Sequence, residues 1–193
     1  MSLGPLVLAS SSPRRKELLQ AAGLDFLTDP ATGLEIHDPS LDLATLVTTN
    51  ARAKALEVAA RHPHAVVLGA DTLVWLEGRA LGKPRDKADA QRMLRALSGR
   101  VHEVATGVHL AQMEPRRQAE FHEITRVRFR VYDDRVIEEY TETVEVMDKA
   151  GAYALQERGE LLVESVEGNR SNVIGLPVER TLAALKHHFG PLH

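Results

Sequence analysis

Apolar positions along this chain fall into short runs that alternate with longer stretches of helical period. Leu6-Val7-Leu8, within residues 5–9, is a brief apolar run that stops at three hydroxyls, Ser10-Ser11-Ser12, and predicts a buried strand. The periodic stretch at 13–22 predicts a helix capped by Ser12, opened by Pro13 and closed by Gly23. Residues 24–28 predict a second strand, and 29–40, rich in Pro, Gly, Asp and Ser, a loop. Leu41, Leu43, Leu46, Val47, Ala51 and Ala55 form the stripe of a long helix over 41–61, ended by His62-Pro63-His64. Ala65 to Ala70 is a further apolar run. Residues 72–76 and 79–81 flank the turn Glu77-Gly78 as a hairpin.

Downstream, a helix is expected over 86–97, stopped by Ser98-Gly99. Residues 101–112 and 121–132 alternate as paired strands, and Asp133 starts a helix reaching about 142. Two short strands are expected in 151–166 around Glu157-Arg158-Gly159, and Pro177 opens a last helix to about 188. Strand–helix–strand order supplies parallel pairs and hairpins supply antiparallel ones. The class is therefore α/β, a mixed sheet flanked by helices. No internal repeat, Gly/Ser linker or low-complexity tract divides the chain.

Composition narrows the function classes. The 193 residues suffice for one core or two small lobes, read here as a single domain over 1–193. With 44% apolar and 26% charged residues the chain reads as a soluble globular protein. A net charge of −3 and 4% aromatics argue against a nucleic-acid-binding module, and nothing marks a membrane partner. The absence of cysteine removes disulfides, thiolate catalysis and Cys-zinc sites, and fits a cytoplasmic location. No basic leader with a long apolar core stands at the start, and no run approaches ~18 apolar residues. The nine histidines show no zinc spacing, and the serines lack a Gly-x-Ser-x-Gly elbow.

Candidate chemistry gathers at two strand ends. Ser10 to Arg15 joins a helix N-terminus, with its free N–H groups, to two guanidinium forks, a pattern suited to phosphate. Arginines there oppose the helix dipole at about 0.3–1 kcal/mol each, a conflict that a bound anion would remove. The same residues also read as a capped helix with a solvated basic turn. At Gly69-Ala70-Asp71-Thr72, an apolar run delivers a carboxylate and a hydroxyl; Asp71 suits Mg²⁺ ligation or water orientation, or a plain turn.

Gly78 to Lys83 fails as a P-loop. Only three residues separate its glycines, and Pro84 stands where Ser or Thr is required. Lys83 remains a point charge for phosphate or a solvated side chain. Lys54, among alanines, would need an anionic partner if packed. Gln156 carries a donor and an acceptor that could read a base edge.

Jointly these segments resemble the Maf family of nucleotide pyrophosphatases. The matching pieces are Leu8 to Arg15, Ala53-Lys54-Ala55, Gly69 to Thr72, Gly82 to Asp86, Leu97 to His102, Asp148 to Tyr153 and Val173 to Pro177, in order along the chain. The resemblance implies an elongated α/β fold, a mixed sheet and two lobes around a central cleft, as in inosine triphosphate pyrophosphatase-like proteins. It implies hydrolysis of nucleoside triphosphates to monophosphate and pyrophosphate with a divalent cation, Mg²⁺ or Mn²⁺. Asp148 to Gln156 resembles the branch acting on dTTP and UTP, including modified pyrimidine nucleotides.

Carried over residue by residue, the resemblance implies that Asp71, Lys54 and Lys83 are catalytic. Ser10, Arg14, Arg15, Thr72 and Gln156 would bind substrate, with Arg14 the direct phosphate contact and Gln156 linked to base choice. Glu35 and Asp71 would hold the metal. The family's acidic pair after the second strand is incomplete here: Ile36 follows Glu35, and Asp38 is the alternative second acid. Two other readings stand beside this one, a nucleotide-binding regulator of septum formation with little turnover and a pyrophosphatase for ITP or XTP. A homodimer is the base-rate expectation for a small enzyme.

Overall fold

The computed structural model describes residues 4–190. In chain order its elements are β1 (Leu6–Leu8), α1 (Pro13–Ala21), β2 (Leu27–Thr28), α2 (Leu43–Ala59), β3 (Val66–Leu76), β4 (Arg79–Leu81) and α3 (Lys87–Leu97). They continue with β5 (Val101–Gln112), β6 (Arg117–Phe129), α4 (Asp134–Thr143), β7 (Val163–Glu167), α5 (Arg170–Ile174) and α6 (Val178–Phe189). The seven strands form one sheet in the order β2-β1-β3-β5-β6-β7, with β4 on β3. β1 runs parallel to β2 and β3, whereas β3–β4 and β6–β7 are antiparallel, so the expected mixed sheet is present.

Three expectations change. Residues 151–166 do not make two strands. Ala150–Ala152 and Gly159–Leu161 are short 3₁₀ turns, and only β7 pairs, with β6. Gly151 and Ala152 both have positive φ, which ends any extended run there. β3 runs unbroken from Val66 to Leu76, so Asp71 lies inside a strand rather than at its exit. Helix α5 was not foreseen; at five residues it is too short to show a period.

Cα packing divides the chain into two compact units. The first comprises the chain up to Thr72, Thr106–Glu123 and the part from Gly175 onward. Its core has two layers, one on each face of the sheet. On one face Leu6, Leu8, Leu68, Val108 and Leu110 pack with Leu19 of α1 and Leu185 and Phe189 of α6. On the other, Val7, Val67 and Ala111 pack with Ala55, Val58 and Ala59 of α2. Two glycines let α2 lie close on that face. A Cβ at Gly69 would meet the Ala51 carbonyl oxygen at 2.3 Å, and one at Gly107 would meet that of Val47 at 2.4 Å.

The second unit comprises Leu73–Ala105 and Ile124–Ile174. Its core joins Met93, Leu94 and Leu97 of α3 to Ile137 and Tyr140 of α4, and to Val104, Val127 and Phe129 of the strands. His102 is buried against Phe129 and Tyr153, its Nε2 2.8 Å from the Tyr153 hydroxyl. Burial pushes its imidazole down to about 4.

Candidate active site

β1 ends at Leu8, opposite Leu68, so β3 outruns its parallel neighbour from Gly69 onward. Successive side chains there alternate between the two faces of the sheet. Asp71 faces α2 and Thr72 faces α1, and each stands at the centre of a separate polar cluster in the first unit.

On the α2 face, Asp71 is 3% exposed. Its Oδ1 lies 2.7 Å from Lys54 Nζ, and its Oδ2 accepts a 3.1 Å hydrogen bond from Asn50 Nδ2. Asn50 and Lys54 are one helical turn apart on α2 and so share a face. Lys54 Nζ also meets Glu35 Oε1 at 2.7 Å, while the backbone oxygen of Ala70 lies 3.5 Å away. One ammonium thus sits between two carboxylates. The anionic partner that a packed Lys54 required is present twice. Thr45 N donates to Asp42, which caps α2 and fixes the start of the helix bearing these residues.

Glu35 reaches this cluster on a strap, residues 29–36, that runs along α2. Glu57 accepts the N–H groups of Thr32 and Gly33, both at 2.9 Å. Those bonds, with lesser help from the Thr32 hydroxyl and Arg61, hold the Glu57 carboxyl down at about 2. Arg61 and His62 grip Asp29, likewise held at about 2, first through Arg61. At the other end, Asn50 Oδ1 accepts the Ile36 N–H at 2.8 Å and Nδ2 donates to the Ile36 carbonyl at 3.1 Å. Positions 50, 54, 57 and 61 share one face of an α-helical period, so a single polar stripe organises the strap.

The structure therefore brings Glu35, not Asp38, to Lys54 and Asp71. The Asp38 carboxylate instead accepts the backbone N–H and hydroxyl of Ser40, in an exposed turn. Ile36, where a second acid was expected, serves through its backbone.

On the α1 face, Arg15 is buried at 9% exposure. Its Nε donates to the Gly175 carbonyl at 2.9 Å, Nη1 to Ser10 Oγ at 3.0 Å and Nη2 to Thr72 Oγ1 at 3.0 Å. Thr72 Oγ1 in turn lies 2.9 Å from Thr106 Oγ1. Burial pushes the guanidinium below its usual range, while Asp71 and Glu35 oppose that shift. The conflict between Arg15 and the helix dipole is thus met inside the chain: three of its five N–H donors tie together the turn that follows β1, strand β3 and the Gly175 turn. Ser12 caps α1 as expected, accepting the Arg15 N–H at 3.5 Å. Arg14, the next side chain of the same turn, is half-buried.

Two predicted site residues belong to the second unit. Lys83 is exposed between β4 and α3, and the Gly151 N–H donates to the Gly82 carbonyl at 3.0 Å, tying the Lys83 turn to the Asp148–Gln156 segment. In that segment Lys149 is buried between Asp148 and Glu157, and Gln156 is exposed.

For a divalent cation, no group of three or more His, Cys, Asp or Glu side chains that could hold one occurs among the described residues. Glu35 and Asp71 are the carboxylates gathered here, and a cation already lies between them in the form of the Lys54 ammonium. Mg²⁺ is commonly held by one or two carboxylates, with phosphate oxygens and water completing its shell. The pair fits that requirement for a metal arriving with a polyphosphate.

Beside this geometry stand the similarities to other proteins. A family model described as "Maf-like protein" matches residues 5–188, and the chain belongs to that family. Its relatives extend over nearly the whole chain. A protein of Moorella thermoacetica is 50% identical over 184 residues, covering 94% of this chain and 95% of its own. One of Akkermansia muciniphila is 46% identical over 94% and 95%, and one of Symbiobacterium thermophilum 46% over 97% and 95%. All three are named dTTP/UTP pyrophosphatase.

Asn50 escaped the sequence reading. Its spacing of four from Lys54 was the available signal, but an asparagine inside a helix carries no mark of what it will meet.

Proposed function

We propose that this chain hydrolyses dTTP and UTP, and modified pyrimidine triphosphates of the same shape, to the nucleoside monophosphate and pyrophosphate, clearing such nucleotides from the cytoplasmic pool. The observation that carries this reading is identity of 46–50% over nearly the full chain to relatives named for that activity. The Glu35–Lys54–Asp71 cluster supports it chemically.

In the reaction a water oxygen bonds to the α-phosphorus and the bond from that phosphorus to the bridging oxygen breaks. The electron pair leaves with pyrophosphate, and the water proton passes to a base. Asp71 is the proposed base and water-orienting group, held by Asn50 and Lys54 with one oxygen toward each. Glu35 and Asp71 would hold Mg²⁺ or Mn²⁺, which supplies charge neutralisation for the triphosphate. Lys54, released from one carboxylate, becomes a donor to the phosphates, and Arg14 and the first turn of α1 take phosphate oxygens. For Lys83 a phosphate contact is proposed, and for Gln156 a hydrogen bond to the base edge. Arg15, Ser10 and Thr72 bind substrate through the shape they give the turn, with the remaining Arg15 donors available to phosphate.

A panel of dTTP, UTP and ITP, with and without Mg²⁺ and read by pyrophosphate release, tests this. Cation-dependent release from dTTP and UTP well above ITP is expected. Preference for ITP would reassign the base, and nucleotide binding without release would favour a regulatory protein.

A further inference from the structure

We propose that Asn50 is a positioning residue that couples the strap bearing Glu35 to Asp71, so that the two carboxylates are set by one side chain. The inference rests on the activity proposed above and extends the hold of Asn50 on Asp71 to the strap that carries Glu35.

Asn50 is 2% exposed and lies on the face of α2 that carries Lys54. An amide offers two donors and two acceptor positions, and three hydrogen bonds use it on both sides. Oδ1 takes the Ile36 N–H, Nδ2 gives to the Ile36 carbonyl, and the same Nδ2 gives to Asp71 Oδ2. Ile36 follows Glu35 directly, so the backbone that aims Glu35 is fixed two bonds deep on Asn50. Asp71, for its part, gains an orientation that a single ion pair with Lys54 would leave free to rotate. Leucine matches asparagine in shape but has neither donor nor acceptor. Aspartate keeps an acceptor for Ile36 N–H, loses both donor bonds and turns a carboxylate toward Asp71. The far end of the strap has its own anchor at Glu57, so loss of Asn50 releases one end only.

The test compares Asn50→Leu, Asn50→Asp and Glu57→Gln with the parent chain. The readouts are steady-state dTTP hydrolysis and amide hydrogen exchange at Ile36. For Asn50→Leu we expect kcat to fall about 10–100-fold with KM changed by less than about threefold, and Ile36 exchange to quicken at least about tenfold. For Asn50→Asp we expect the kcat loss with Ile36 exchange still slow, which separates the Asp71 contact from the strap contact and serves if the leucine variant does not fold. Glu57→Gln should quicken exchange at Thr32 and Gly33 with a smaller change in kcat.

Parent-level kcat in both Asn50 variants, or a loss in KM alone, would overturn the positioning role. Exchange is read without turnover: a parent chain that releases no pyrophosphate, with Ile36 exchange still faster in Asn50→Leu, would sink the activity and leave the mechanical link. Intact turnover with unchanged exchange would do the reverse.

Discussion

Asp71 and Thr72 are neighbours in one strand, yet the clusters around them differ in kind. On the Asp71 face, an ammonium is shared by two carboxylates, one of them on an exposed strap, and all of these groups carry charge. On the Thr72 face, one buried guanidinium is closed by a carbonyl and two hydroxyls, none of which carries charge. The first arrangement is held by direct ion pairs; the second is held by neutral acceptors, with the Asp71 and Glu35 charges acting on Arg15 only from a distance. The contrast separates residues expected to do chemistry from residues expected to hold the frame for it.

The sharpest way to break that contrast is Asp71→Asn. It keeps shape and removes the charge, so dTTP turnover should fall about 10³-fold, equivalent to about 4 kcal/mol in the barrier. Near-parental kcat in a folded variant would remove Asp71 from the chemistry.

Next in size is Arg15→Met, which should act on stability. It strips donors from Gly175, Ser10 and Thr72 in a buried setting and should cost about 3 kcal/mol in chemical denaturation. If the variant unfolds like the parent chain but loses substrate affinity, Arg15 belongs with the phosphate contacts instead.

The smallest effect concerns the strap. Because Glu57 is held at about 2, below the unfolded carboxyl value near about 4.3, its contribution to stability is full above about pH 4.3 and fades as pH falls toward 2. The difference in thermal midpoint between the parent chain and Glu57→Gln should hold from pH 7 to about 5 and shrink below that. A gap that stays constant to pH 3 would mean that the charge of Glu57 does not anchor the strap.

Much of this could be read in the sequence. Ser12-Pro13 announced the start of α1, because a cap and a first-turn proline act within four residues. The apolar stripe of α2 and the run Val66 to Leu68 were equally visible as periods. Other features were not. Residues 151–166 read as strands because their apolar positions suit a strand, whereas Gly151 and Ala152 take positive φ, and a Cβ at Gly151 would meet the Val74 side chain, remote in sequence, at 3.0 Å. Asp71 read as a strand exit because the apolar run stops there; β3 continues because α2 and its polar stripe supply partners for a buried carboxylate.

By itself, the sequence determined the elements, their α/β order and the cast of charged residues, since caps, periods and motifs are local and each is written within a few positions. Only the tertiary structure decided which partners those charges take. It gave Lys54 to both Glu35 and Asp71, passed over Asp38, closed Arg15 upon Ser10, Thr72 and Gly175, and brought Asn50 into the cluster. The reason is physical: the cost of burying a charge depends on groups that reach it from distant positions, such as residue 175 for Arg15, and no local pattern records that distance.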